Sequence, residues 1–532
     1  MNKTWKYIVM LLGIFLFHLV ANYQVLTQSQ IPHINDEQNR IIHGFKGYEA
    51  FFLKSDISLQ QKIILITQLD KSQAHPPLFE MMEILSWKIL SMIKRMDVEL
   101  MILTTNAFFL ALLLLSVFGI GTLLCSRGVG LLAALLTSFF PSIFGLSRTA
   151  MLDFPLTCMV ALSFFVLLKT HGFTSRVYSM LFGAVAGLSV LTKEAAALFL
   201  IAPTSYYVIK AYLVGHKRQA VLNMLMALLC FFFVAGMIYL RPDNFQAYGL
   251  YARKIAIQGF GANNAFYYLE VLPDLVGPWL LLPSISLLVY YSIDYFIDFK
   301  KKDGFLLVWC LIPILCFSFS PNRVMRFMLP IMPAFALILA KEALASPWPK
   351  RVRRACGLAL AVLSVTQYGF YHAGYLKGAN WTEFFSEKGL LSITRQGGYL
   401  RAVSDLFDVF KNEATQPRRR RILLLFNGGE IQGPLAIKLM IAHLDFKVGN
   451  PLATDASDLT AASRTRCLEE MLSADYVLDL EGGTERNHGA VSRQLEDCLN
   501  ENFSEHRDDF KKITEGIVYD NALIYVYKRI RR

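Results

Sequence analysis

Long apolar runs limit what this chain can fold into. They dominate its first 375 residues, and lipid allows only segments that close their own backbone hydrogen bonds, as helices do. Counting the runs long enough to cross roughly 30 Å of hydrocarbon gives about eleven transmembrane helices. The sequence therefore predicts an α-helical polytopic membrane protein.

The composition supports this class. Hydrophobic residues make up 54% of the 532 residues and aromatic residues 13%, which is more than a soluble chain of this length carries. The formal net charge is +12, but the basic residues are scattered between apolar runs and form no basic face with exposed aromatics. We therefore expect membrane lipids, and not nucleic acid, as partners.

The basic residues also predict an orientation. The first apolar run follows Lys3 and Lys6, and no small-residue cleavage site follows it, so we expect a retained helix with a cytoplasmic N-terminus. Each short inside loop is then basic, and the short outer loops contain fewer basic residues once the long outer segment 27–99 is set aside. The sequence predicts a multi-pass protein of the cytoplasmic (inner) membrane.

The chain divides into parts of different character. Residues 1–375 are the predicted membrane domain, and within it residues 27–99 are expected to form a first extracytoplasmic loop with juxtamembrane helices. Asn35 followed by Gln38 is an N-cap pattern, which predicts a helix starting at Asp36. Residues 376–532 are predicted to be a soluble α/β domain outside the cytoplasm. Cys467 and Cys498 could form a disulfide there, and the sequence leaves this open.

Five polar groups border the apolar runs, and the span count places all of them on the outer face. They are Asp36-Glu37, His75-Pro76-Pro77, Ser147-Arg148 with Asp153, Lys193-Glu194, and Arg323 with Arg326. Charges at membrane boundaries are costly and usually functional. Each group also has a plain structural explanation as a helix cap, a turn or an interface anchor. The shared face favours a functional site.

These residue types suit chemistry at a lipid phosphate. A departing phosphate develops negative charge, which fixed cations in a site of low dielectric stabilise. A carboxylate on the opposite side can act as a general base toward an acceptor hydroxyl. We expect Asp36 to be this base, supported by Glu37 and Asp153. The residues expected to bind the phosphate are His75, Arg148, Lys193, Arg323 and Arg326.

The order of these motifs resembles one known superfamily. Asp36-Glu37, His75-Pro76-Pro77-Leu78, Ser147-Arg148 with Leu152-Asp153, Gly187 to Lys193, and Arg326-Phe327-Met328-Leu329-Pro330 with Pro333 are similar to the protein O-mannosyltransferase and aminoarabinose-transferase superfamily. The resemblance implies a GT-C fold, a sugar donor linked to polyprenyl phosphate and a periplasmic active site. It also implies that Asp36 is the catalytic acidic residue, that Asp153 is a second acidic position, and that Lys193 and Arg326 lie near the lipid phosphate.

The expected activity is inverting transfer of a sugar to a cell-envelope acceptor, which is a lipid, a glycan or a protein. The chain departs from the superfamily where no aromatic residue follows the acidic pair and where Glu194 replaces a common glycine. Some relatives hold a divalent metal, and whether this chain does stays unknown because no strong ligand set is visible. A ligase or phosphotransferase using the same lipid is one alternative. A transporter or flippase is another, although no convincing internal repeat supports it.

Overall fold

A computed structural model describes much of the chain. The described residues are 3–28, 35–55, 58–67, 76–214, 217–239, 244, 266–297, 304–320, 323–377, 399–413, 420–424, 435, 438–442, 446–449, 473–481, 500, 503–519 and 522–530. The chain forms two compact units, one of Met1–Ser29 with Lys46–Ser392 and one of Gln30–Phe45 with Ile393–Arg532. His75, Cys467 and Cys498 lie outside the described residues, so the predictions made for them stay predictions.

Helices dominate the described chain. In chain order they are α1 (Lys3–Gln28), α2 (Asn35–Tyr48), α3 (Leu59–Thr67), α4 (Leu78–Met92), α5 (Val98–Leu124), α6 (Arg127–Phe139), α7 (Pro141–Leu146), α8 (Asp153–Lys169), α9 (Arg176–Val190), α10 (Ala196–Val214), α11 (Lys217–Tyr239), α12 (Tyr267–Glu270), α13 (Leu272–Val276), α14 (Pro278–Ile297), α15 (Phe305–Ser318), α16 (Met332–Ala345), α17 (Lys350–Lys377) and α18 (Tyr399–Glu413). A π-helical turn (Glu49–Leu53) follows α2, and a 3₁₀ helix (Met325–Ile331) precedes α16. Helix α2 begins one residue before the predicted start.

Six helical runs among the described residues are long and apolar enough to cross a membrane. They are Trp5–Thr27, Val98–Leu124, Ala196–Leu213, Arg218–Gly236, Pro278–Ile297 and Met325–Ala345. The helices α6, α9 and α15 are apolar but shorter. The polytopic helical architecture is thus confirmed, and the number of about eleven spans stays a prediction.

Close packing of α9 against α11 depends on two glycines. A Cβ atom added to Gly183 would collide with the backbone carbonyl of Ala227, and one added to Gly187 would meet Val234 at 3.0 Å. Small residues four positions apart let helix backbones approach in lipid, where apolar burial gives no drive to associate. This contact fixes the end of α9, which leads directly into the turn that contains Lys193.

The second unit contains a mixed sheet. Its strands are β1 (Arg420–Leu424), β2 (Phe446–Gly449), β3 (Tyr476–Glu481), β4 (Phe510–Lys512), β5 (Ile517–Tyr519) and β6 (Ala522–Arg529), in the order β2-β1-β3-β6-β4 with β5 beside β6. Strand β1 pairs in parallel with β2 and β3, whereas β6 is antiparallel to its neighbours. The apolar face of α18 packs on this sheet through Val403, Leu406 and Phe410. The predicted α/β character of this region is confirmed.

Candidate functional site

Three of the predicted site residues form one cluster. Lys193 Nζ lies 2.7 Å from Asp153 Oδ1, and Arg326 Nε lies 3.6 Å from Asp153 Oδ2. The side chain of Asp153 is 2% exposed, that of Lys193 11% and that of Arg326 22%. We call these three residues the cation cluster. Two positive charges share one buried carboxylate, so the formal charges of these three side chains sum to +1.

Three separate elements bring the cluster together. Asp153 begins α8, where a carboxylate also suits the positive end of the helix dipole. Lys193 lies in the turn between α9 and α10, and Arg326 lies in the 3₁₀ helix before α16. Lys193 Nζ also sits 4.8 Å from the centre of the Phe327 ring, which adds a cation–π contact. The cluster thus depends on contacts between residues up to 173 positions apart (153 and 326).

The proline turn lies beside the turn that contains Lys193. The backbone N–H of Leu78, which directly follows Pro76-Pro77, donates a 3.0 Å hydrogen bond to the carbonyl of Leu191. Both prolines are buried. Two of the predicted motifs are therefore neighbours, although His75 itself is outside the described residues.

Arg148 occupies a different environment. It is 6% exposed, its Nε donates to Asn22 Oδ1 at 2.9 Å, and its Nη2 donates to Tyr368 Oη at 2.9 Å. Its guanidinium also lies 5.1 Å from the centre of the Phe144 ring. Asn22 Nδ2 donates to Ser147 Oγ at 3.0 Å. These contacts hold Arg148 between α1, α7 and α17.

Arg323 lies near Tyr268. Its Nε donates to the carbonyl of Ser318 at 3.1 Å. Tyr268 is buried, and this burial raises the pKa of its hydroxyl, while the positive charge of Arg323 opposes the shift. Burial likewise raises the pKa of the Asp274 carboxyl to about 6. Asp274 lies in α13, before the membrane-spanning run that starts at Pro278.

The acidic pair belongs to the other unit. Asp36 and Glu37 lie in the first turn of α2, and the side chain of Glu37 is 2% exposed. The structure describes only the backbone of Asp36. The role of the pair as base and helper stays a prediction.

The sequence interpretation missed three residues around Arg148 and its turn. Asn22 and Asn106 are amide side chains inside apolar spans, which is a signal that the sequence does contain. Tyr368 carries no such signal, because a tyrosine in an apolar helix is common at interfaces. Among the described residues, no group of three or more His, Cys, Asp or Glu side chains is placed to hold a metal ion.

Comparisons with known proteins agree with this architecture. Residues 74–240 match the family model described as dolichyl-phosphate-mannose-protein mannosyltransferase. The undecaprenyl phosphate-alpha-4-amino-4-deoxy-L-arabinose arabinosyl transferase of Aeromonas hydrophila is 27% identical over 232 residues, which are 41% of this chain and 41% of that protein. This chain therefore matches about two fifths of the length of that relative.

Solved structures match over a longer stretch. ArnT from Cupriavidus metallidurans bound to undecaprenyl phosphate superposes with a TM-score of 0.60 at 10% identity, covering 99% of this chain and 98% of that one. The Archaeoglobus fulgidus oligosaccharyltransferase in its apo form gives 0.51 at 12% identity, covering 90% and 70%. The chain has the GT-C fold, and its resemblance to the protein O-mannosyltransferase and aminoarabinose-transferase superfamily is confirmed.

Proposed function

We propose that this protein is a membrane glycosyltransferase that moves a sugar from a polyprenyl-phosphate donor to a cell-envelope acceptor. The observation that carries the proposal is the cation cluster, in which Lys193 and Arg326 share the buried carboxylate of Asp153. Its net positive charge suits an anionic lipid headgroup. The fold and the named activity of the Aeromonas hydrophila relative support a sugar donor of this kind.

The cluster acts on the leaving group in this proposal. When the bond between the sugar and the lipid phosphate breaks, negative charge grows on the phosphate oxygens. Lys193 and Arg326 bind that phosphate, and Asp153 keeps both cations in place before it arrives. Fixed donors need little reorganisation during the reaction, which is why they stabilise the transition state more than water does. His75 and Arg323 are further candidates for contacts with the phosphate.

The acceptor side of the proposal depends on the acidic pair. The oxygen of the acceptor hydroxyl attacks the anomeric carbon on the face opposite the phosphate, which inverts the configuration. Asp36 removes the proton from this hydroxyl during the attack. Glu37 and Asp153 support Asp36 in its role as the base. We propose that this happens at the outer, periplasmic face of the inner membrane. The acceptor class stays open among lipid, glycan and protein.

Mass spectrometry of a deletion strain tests the proposal. Lipid-linked sugars and envelope glycans are compared between the deletion strain, the strain complemented with the natural gene and a strain complemented with Asp36→Asn. We expect the polyprenyl-phosphate sugar to accumulate in the deletion strain and in the variant, and one sugar to disappear from an envelope component. Loss of a phosphorylated or multi-sugar unit would instead identify a phosphotransferase or ligase. Unchanged lipid-linked sugars and envelope in the deletion strain would refute the proposal.

A further inference from the structure

A buried side chain holds the turn that directly precedes Asp153. Residues 147–152 connect α7 to Asp153 and form no regular helix or strand. The side chain of Asn106, on α5, reaches this turn and donates two hydrogen bonds from Nδ2, to the carbonyl oxygens of Ser147 at 3.0 Å and Thr149 at 2.8 Å. Asn106 is 2% exposed. We call this contact the turn clamp.

The geometry of Asn106 suits this role and little else. Its Oδ1 atom is buried and accepts no hydrogen bond from the described residues, which carries a desolvation cost. Rotating the amide would not relieve the cost, because Oδ1 would then face two carbonyl oxygens. Only the NH₂ group satisfies the turn, so the two carbonyls of Ser147 and Thr149 determine the orientation of the amide.

A second set of contacts holds the same turn from two other helices. Asn22 on α1 donates to Ser147 Oγ and accepts from Arg148 Nε, and Tyr368 on α17 accepts from Arg148 Nη2. Two of the three guanidinium nitrogens of Arg148, Nε and Nη2, therefore donate to neighbouring side chains in the interior. Its contacts fix the same turn that Asn106 holds through the backbone.

The other end of the turn meets the cation cluster. Arg326 Nη1 lies 3.8 Å from Met151 Sδ, and Asp153 follows two residues later with its contacts to Lys193 and Arg326. A displacement of the turn would therefore move Asp153 away from Lys193. The six residues of the turn 147–152 therefore connect the turn clamp to the cation cluster.

We propose that Asn106 is a positioning residue that holds Asp153 against Lys193 through the turn 147–152, with Arg148 supporting the same turn and not binding the lipid phosphate. The consequence for lipid binding rests on the function proposed above. The positioning itself can be measured without any substrate, because Lys193 is nearly buried and its amine reacts with an acylating reagent only when it leaves Asp153.

The experiment is limited acetylation of the purified full-length protein with acetic anhydride, followed by peptide mass spectrometry. The rate at Lys193 is divided by the rate at Lys169, which lies at the opposite end of α8. Asn106→Leu keeps the side-chain size but removes both donors. Thr105→Val is the matched control, because it removes a buried hydrogen bond on the same helix, the 2.7 Å contact with Ser86, without touching the turn.

We expect Asn106→Leu to raise the relative rate at Lys193 by at least about fivefold, because it removes two hydrogen bonds that oppose local opening of the turn. Arg148→Lys should raise it similarly, because lysine cannot make both of the guanidinium contacts. Thr105→Val should leave it unchanged. In an Asp153→Asn background, Asn106→Leu should add nothing, since the contact it protects is already weakened.

A rate at Lys193 that Asn106→Leu does not change would overturn the proposal, as would an equal rise in Thr105→Val. Binding of undecaprenyl phosphate is measured separately on the same proteins. If natural protein and variants all fail to bind this lipid while the acetylation pattern holds, the clamp stands and the proposed function falls. Arg148→Lys that weakens lipid binding with normal acetylation of Lys193 would show direct contact with the phosphate and refute the role given to Arg148.

Discussion

Removing the Lys193 ammonium is the sharpest perturbation of the proposed site. In Lys193→Met the side chain keeps similar length and apolar contacts, so it can still pack near Phe327. The variant loses the 2.7 Å contact with Asp153 and one of the two cations offered to the lipid phosphate. We expect two separable effects, on stability and on binding of undecaprenyl phosphate.

The stability effect follows from the burial of Asp153. Its side chain is 2% exposed, and breaking a buried ion pair by deleting one partner costs about 3–5 kcal/mol because the other charge stays buried. Arg326 remains 3.6 Å from the same carboxylate, so we expect a value near the lower end, about 3 kcal/mol. Adding Asp153→Asn to Lys193→Met removes the stranded charge, and most of the lost stability should return.

The binding effect should not return in the double variant. A hydrogen bond to a charged group contributes about 1.5–3 kcal/mol, so losing the ammonium should weaken binding of undecaprenyl phosphate about 10- to 150-fold. Binding is measured on the full-length protein in nanodiscs, and stability by thermal unfolding of the same samples. Lys169→Met, which removes a lysine from the other end of α8, serves as the control. Recovery of lipid binding together with stability in the double variant would refute direct contact between Lys193 and the phosphate.

Three further variants test other parts of the argument. Asp36→Asn should abolish sugar transfer while undecaprenyl phosphate stays bound, and near-normal turnover would rule Asp36 out as the base. Burial raises the pKa of the Asp274 carboxyl from 3.8 to about 6, so the native state binds more protons than the unfolded chain between these two values. Stability should therefore fall as the pH rises from about 4 to 6 and change little above that, and Asp274→Asn should flatten this decline in melting temperature. An unchanged slope would contradict this assignment. Gly183→Val should cost about 1–3 kcal/mol in thermal unfolding by forcing α9 from α11, whereas Gly13→Val, which has open space, should cost little.

Much of the fold could be predicted from local pattern. Apolar runs identify spans because a single segment in lipid can satisfy its own backbone hydrogen bonds only as a helix. The apolar runs that form α1 and α5 are helical as expected. Strand β3 also follows its apolar stretch. Strand β4, with only three residues and one buried position, has too short a pattern to predict. The elements that could be predicted are therefore those whose apolar pattern is long enough to recognise.

The cation cluster could be anticipated only in part. Sequence placed Asp153, Lys193 and Arg326 at one face, because each follows or precedes an apolar run, and the structure brings these three side chains together. It could not distinguish Arg148, which borders a run in the same way but donates to Asn22 and Tyr368. The partner of a boundary arginine depends on contacts made 126 and 220 residues away. Span counting contains no information on such distances.

The shared carboxylate explains how Lys193 and Arg326 can lie close to each other in a partly buried site. Two neighbouring positive charges repel each other, and in a partly buried site that repulsion is screened less than in water. Asp153 offsets it, and its own burial is tolerated because both cations contact it. The cluster nevertheless keeps one net positive charge. An arriving lipid phosphate would then neutralise the excess and contact side chains that are already in place, which is the preorganisation that a leaving phosphate requires.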